Sequence, residues 1–162
     1  VIVVADTSVL INLALVGQDG LLAVLFREVI VPRAVERAFA RLAVSGGRFA
    51  GVRLPEWIEV RDPHSIPAAL AQHTALDPGE TDALALAFEI HADAVLIDET
   101  AGRAVALALG LTPIGVFGIL VRAKRNGRLT AIAPVVDDLL HRARFRAAPE
   151  LVQEVLRLAG EA

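Results

Sequence analysis

Short runs of apolar, mostly β-branched residues, each followed by a segment of helical spacing, constrain the fold of this chain more than any other feature. Val1-Ile2-Val3-Val4-Ala5, Glu28-Val29-Ile30-Val31, Ala94-Val95-Leu96-Ile97 and Thr112-Pro113-Ile114 are such runs; Trp57-Ile58-Glu59-Val60, between Pro55 and Pro63, is a candidate fifth. Apolar runs without alternation are strands buried on both faces. The intervening segments 9–15, 21–26, 32–44, 77–91, 101–109 and 116–125 have helical spacing, 64–75 holds a small helix, and 134–142 and 149–158 are helical again. Pro32 suits a first helical turn, where its missing N–H costs nothing. Such alternation predicts an α/β fold in three layers, α/β/α, with a parallel sheet of four to five strands covered by helices on both faces. The length of 162 residues suits one domain, residues 1–162. The helices from about residue 134 then form an appended extension of the alternating part.

Composition narrows the function classes. The apolar share of 55% exceeds the ordinary globular range through Ala, Val and Leu, which suit helices packed on a buried sheet. No apolar run reaches the roughly 18 residues of a membrane span, so no membrane association is expected. The first residues lack the basic-then-apolar order of a secretory signal. With no cysteine, disulfides and thiolate metal sites are excluded, and a bound metal would take oxygen or imidazole ligands. A cytoplasmic location is expected. The formal charge of −3 argues against a protein that coats nucleic acid at large. Yet Arg122, Lys124, Arg125, Arg128, Arg142, Arg144 and Arg146 face only Asp137 and Asp138 in the same stretch. These basic residues read either as a solvated helix face or as a surface for nucleic-acid phosphates.

Two of the apolar runs end in aspartate, at Asp6 and Asp98. Ligands of an open parallel sheet bind beyond the carboxyl ends of its strands. If the two strands are neighbours, both carboxylates reach one rim. Like charges held close in a poorly solvated cleft repel strongly, and are tolerated when one is protonated or a cation lies between them. Hard oxygen ligands favour Mg²⁺ or Mn²⁺. Each acid also has a purely local role open to it. Asp6 and Asp98 can cap the helices that follow them. Asp77-Pro78-Gly79-Glu80 has the spacing of a capping box, with Glu80 reaching back to Asp77. Asp82 lies about 200° around the helix from Glu80 and is expected in solvent or a local pair. Glu99 can point either way. Other chemistries lack their residues: there is no Gly-x-Ser-x-Gly elbow, no phosphate loop and no dinucleotide fingerprint, and His64, His73, His91 and His141 are scattered.

Taken in order, these residues resemble a known family. Val4-Ala5-Asp6-Thr7-Ser8-Val9-Leu10-Ile11 resembles the opening of a PIN domain, and Val29-Ile30-Val31-Pro32 with Val35 its second strand and following helix. The segment from Pro78-Gly79-Glu80 to Ala87 resembles the central acidic helix, and Val95-Leu96-Ile97-Asp98-Glu99 with Arg103 and Ala106 the last acidic loop. Residues 115–127 are similar to a PIN subfamily related to VapC toxins. The resemblance implies a Mg²⁺- or Mn²⁺-dependent endoribonuclease that hydrolyses RNA phosphodiester bonds. It implies also a toxin neutralised by a small cognate antitoxin protein, and a homodimer.

Carried over by position, the resemblance makes Asp6, Glu80 and Asp98 the catalytic, metal-binding acids, Glu99 a further metal ligand and Ser8 an accessory hydroxyl. Arg103, Arg122, Lys124 and Arg125 are the candidate contacts for RNA. Two positions depart from the family pattern. The acid on the helix after the second strand falls at Ala38, while Glu36 lies about 200° away around that helix. A threonine common in the subfamily is replaced by Val116. An alternative is therefore a catalytically degenerate PIN-like module that binds a partner protein through its apolar helices.

Overall fold

A computed structural model describes residues 1–162. Five strands form one sheet: β1 (Ile2–Ala5), β2 (Glu28–Val31), β3 (Glu59–Val60), β4 (Ala94–Leu96) and β5 (Pro113–Ile114). The helices are α1 (Thr7–Leu15), α2 (Gly20–Leu25), α3 (Arg33–Val44), α4 (Ala68–Ala71), α5 (Pro78–Glu89), α6 (Thr100–Ala108), α7 (Val116–Arg125), α8 (Ala133–His141) and α9 (Pro149–Leu158). A 3-10 turn at Gly47–Phe49 follows α3. The candidate fifth run contributes only its last two residues to the sheet. The small helix expected over 64–75 is a single turn that starts after Pro67.

The spatial order is β3-β2-β1-β4-β5, with every neighbouring pair parallel. The chain builds outward from β1 through β2 to β3, then crosses back and builds outward on the other side through β4 to β5. The order therefore reverses between β1 and β4. A crevice opens at such a reversal, because the flanking connections leave over opposite faces of the sheet. Ala5 pairs with Leu96 in register, so β1 and β4 end side by side.

Alternation along the strands sorts their side chains onto two faces. Val3, Ala5, Val29, Val31, Leu96 and Ile114 join a cluster of 30 buried residues beneath α1, α2, α3, α7, α8 and α9. Val4, Ile30, Val95 and Ile97 join a cluster of 12 beneath α4, α5 and α6. The sheet is thus buried on both sides, the three-layer α/β/α arrangement that the strand composition predicts. No helix is long and apolar enough to cross a membrane.

Candidate active site

Asp6 is the first residue past β1. Its backbone N–H donates to Leu96 O at 2.9 Å, which extends the β1–β4 ladder by one residue and holds Asp6 against the neighbouring strand. It stands at the N-cap position of α1 with extended backbone, but its side chain makes no capping hydrogen bond. The residue is 4% exposed. Burial pushes its carboxyl up to about 6; the Thr7 amide works against this, and the charges of Asp77, Glu99 and Asp98 add to it.

Asp98 reaches the same rim from β4. Ile97 N–H donates to Ile114 O at 3.0 Å, so the ladder with β5 holds the chain up to the aspartate. The Asp98 carboxylate does not cap α6, whose N-cap position falls to Glu99. It accepts instead from Val116 N–H, at 3.3 Å to Oδ1 and 3.2 Å to Oδ2, across the positive N-terminal end of α7. A Cβ on Gly115 would fall 2.3 Å from Asp98 Oδ1 and 3.3 Å from Arg103 Nη1. Only glycine admits this approach. Burial raises the Asp98 pKa, Val116 N–H and the Arg103 guanidinium lower it, and Glu99 raises it. Arg103 is itself tied down, donating from Nη1 to Ile97 O at 3.0 Å.

α5 delivers the third acid. The capping box is present in full: Glu80 N–H donates to Asp77 Oδ1 at 2.7 Å, and Asp77 N–H donates to Glu80 Oε2 at 3.2 Å. The local role therefore holds for Glu80, yet it does not exhaust the residue. Glu80 is 5% exposed, and its carboxyl is pushed up to about 7 by burial, then by Asp77, Asp6 and Glu99, against the Asp77 amide. A Cβ on Gly79 would lie 3.6 Å from Asp6 Oδ1 and 3.3 Å from Asp77 Oδ1, so the first turn of α5 sits directly against Asp6.

Asp77 is thus a member of the rim that the sequence reading treated only as a cap. Its signal was the capping box itself, which fixes Asp77 beside any site that Glu80 enters. Glu99 is exposed, but its charge acts on Asp6, Glu80 and Asp98 alike. Asp82 is apart from the rim, half-buried near Asp62 and Arg37. Glu36 lines a separate groove with Phe39 and Ala40, so α3 brings no acid in place of Ala38.

Beside this rim opens a cleft of about 1180 Å³, lined by Ser8, Asp98 and Glu99 at the strand ends, by α7, and by α9 with the segment before it. Asp6 and Glu80 do not line it. Six arginines do: Arg48, Arg103, Arg122, Arg125, Arg144 and Arg146. Lys124 is engaged elsewhere, with its ammonium 2.9 Å from Glu161 Oε2. Nothing in the α7 sequence separates Lys124 from Arg122 and Arg125, because its partner lies 37 residues away.

The donor set is of the kind a hard divalent cation takes. Two of its carboxylates, Asp6 and Glu80, are buried and pushed up to about 6 and about 7. Ser8 Oγ is the one buried side-chain polar atom without a hydrogen-bond partner. No three acidic or histidine side chains converge as a ready-made cation site. Glu80 and Asp98 rest on backbone N–H groups instead, Asp98 through a long, shared contact.

Sheet order and rim together define an α/β protein with an acidic crevice at its topological switch point. The chain belongs to the PIN-domain family: a family model described as PIN domain matches residues 2–161. No curated protein matches it. PIN domains are typically nucleases and generally use divalent metal ions, so the fold is a nuclease fold.

Proposed function

We propose that this chain is a Mg²⁺- or Mn²⁺-dependent endoribonuclease that hydrolyses RNA phosphodiester bonds, the toxin of a toxin–antitoxin pair. One observation carries the nuclease reading: Asp6 and Asp98 close adjacent parallel strands at the switch point, and the first turn of α5 sets Gly79 against Asp6, which brings the Glu80 and Asp6 charges within reach of each other. The toxin role, the small cognate antitoxin, the homodimer and the cytoplasmic location rest on the likeness of residues 115–127 to VapC-related proteins. Absence of cysteine is compatible with that location.

Asp6, Glu80 and Asp98 would hold the cation, with Glu99 at the mouth of the cleft and Ser8 Oγ as an accessory donor. When bound, the cation supplies Lewis acidity toward a phosphate oxygen and a water acidified for in-line attack. The chain's own groups do the rest. Glu80, at about 7, and below neutrality Asp6, at about 6, hold protons that a bound cation would displace, which would tie metal affinity to pH. Val116 N–H orients the Asp98 carboxylate. Arg103, anchored on Ile97 O, keeps one positive charge beside Asp98 at the place where a substrate phosphate would approach.

The test is RNA cleavage by Asp6→Asn and Glu80→Gln. Asp6 caps nothing, and glutamine preserves a capping box, so both variants are expected to fold normally. Each should lower the rate on the order of a thousandfold. Cleavage at the parent rate by either variant sinks the assignment. A second reading, a catalytically degenerate interaction module, is favoured by the missing acid of α3. Calorimetric titration with Mn²⁺ separates the two, since only the nuclease reading requires binding.

A further inference from the structure

The cleft beside the acids is completed by parts of the chain far from them in sequence. Arg144 and Arg146 come from the segment between α8 and α9, and Arg48 from the 3-10 turn after α3. All three are exposed. None of Arg48, Arg122, Arg125, Arg144 or Arg146 takes part in an ion pair, whereas Arg33, Arg61, Arg142 and Arg157 all do. Six arginines line the cleft against only two carboxylates, Asp98 and Glu99. Such a lining attracts a polyanion.

Backbone geometry singles out Arg144. Seven glycines adopt positive φ; the two other residues that do so are His91 and Arg144, at φ 58°. Arg144 lies between two anchored neighbours. Ala143 is buried and donates its N–H to Asp138 O at 3.1 Å. Phe145 donates its N–H to Leu139 O at 2.8 Å, and its ring meets Phe117 edge-on at 5.2 Å. A glycine would take this conformation without strain, yet the chain places an arginine there. A strained residue persists where its surroundings over-determine it, commonly at ligand clamps. Arg48 is steadied too, with its Cζ 4.5 Å from the centroid of the Phe49 ring. Phe49 and Phe145, both half-buried, give the same cleft aromatic surface. Free arginines combined with aromatic faces suit a single nucleic-acid strand, with phosphates on the cations and bases against the rings.

We propose that Arg48, Arg144 and Arg146 form a phosphate clamp that holds the backbone of a single polynucleotide strand in this cleft. The segment before α9 is then part of the binding site. The proposal rests on the nuclease reading for its kind of ligand, but its test involves no cleavage.

A fluorescent oligouridine is titrated with the full chain in EDTA, and anisotropy is followed across a salt series. Arg144→Gln combined with Arg146→Gln should weaken binding about tenfold or more. It should also flatten the slope of log affinity against log salt by about 1.4, at about 0.7 per phosphate contact on a single strand. Arg48→Gln should flatten it by about half as much. Arg144→Gly removes the guanidinium while relieving the left-handed backbone, so it should fold at least as well and still lose affinity. Unchanged affinity in these variants overturns the clamp. So does weaker binding with an unchanged salt slope, which would mean that the arginines shape the cleft without touching phosphate. Polyglutamate displacing the oligouridine at equal charge would mark a docking surface for acidic protein, and would overturn it as well. A chain that binds the strand but never cuts RNA keeps this inference and loses the nuclease. A chain that cuts through Asp6 but ignores Arg144 does the reverse.

Discussion

At the start of α5, Asp77 accepts from Glu80 N–H at 2.7 Å and spends its side chain on its own helix. At the start of α1, Asp6 holds the same N-cap position with the same extended backbone and caps nothing. One aspartate is exposed and locally satisfied. The other is buried, and burial and its acidic neighbours raise its pKa. Position relative to a helix is equal in the two cases, so the difference comes from the sheet. Asp6 is drawn into the rim by the β1–β4 ladder, where α5 and the β4–α6 loop supply more negative charge. A carboxylate kept there against its own desolvation cost is held for something other than helix stability, and the PIN-domain nuclease fold provides that use.

The contrast can be broken most forcefully at Asp6. Its folded pKa of about 6 lies above the ordinary aspartate value of 3.8. Below 3.8 both states are protonated and the residue contributes nothing to stability. Between 3.8 and about 6 the unfolded chain ionises first, so stability falls as pH rises; above that the penalty is constant. Asp6→Asn should therefore stabilise the protein by up to on the order of 3 kcal/mol at pH 8, and by nothing near pH 3. Urea unfolding across pH measures this. A stabilisation independent of pH would contradict a buried, charge-strained Asp6.

Divalent metal should relieve the same strain in the parent protein. At a hundredfold excess over its Kd, Mn²⁺ is expected to raise stability by about 2.7 kcal/mol at pH 8. The gain should shrink toward pH 5, where Asp6 and Glu80 hold their protons. An equal gain in Asp6→Asn would place the metal elsewhere. Gly115→Ala sharpens the picture from the β4 side. Its methyl must displace Asp98 or Arg103, at a cost of about 1–3 kcal/mol and with loss of RNA cleavage. The smallest effect belongs to Asp77→Ala, which should cost about 1 kcal/mol as a lost cap. It should also bring the Glu80 carboxyl down from about 7, since Asp77 is the first charge acting on it. NMR titration of Glu80 reads that shift, and an unmoved Glu80 would separate Asp77 from the rim.

Much of this was legible before any coordinates. Strand and helix positions follow from period and from caps, and both are local: the apolar run at the start reads as a strand buried on two faces, which Ile2–Ala5 forms with Val1 left outside it, and Asp77 to Glu80 announces the start of α5. Asp6, Glu80 and Asp98 were legible for the same reason, as acids placed where such elements end or begin. Lys124 shows the limit. It shares a helix turn with Arg122 and Arg125, but Glu161 draws it away, and Glu161 also accepts from Ile132 and Ala133 N–H. Arg48 shows the reverse, a residue without a motif that the fold carries to the cleft lined by Arg144 and Arg146 of the basic stretch.

By itself, then, the sequence determined the order of strands and helices and pointed to Asp6, Glu80 and Asp98 as the acids at their ends, because hydrogen bonding and side-chain spacing within a few residues decide those things; it left Asp77 a cap and overran β3 and α4. Only the tertiary structure decided that β1 lies beside β4, that α7 turns its first N–H to Asp98, and that an aspartate at a helix start is left uncapped and buried. Those outcomes depend on groups up to about ninety residues apart competing for one rim, where desolvation and repulsion are strong and no local pattern records them.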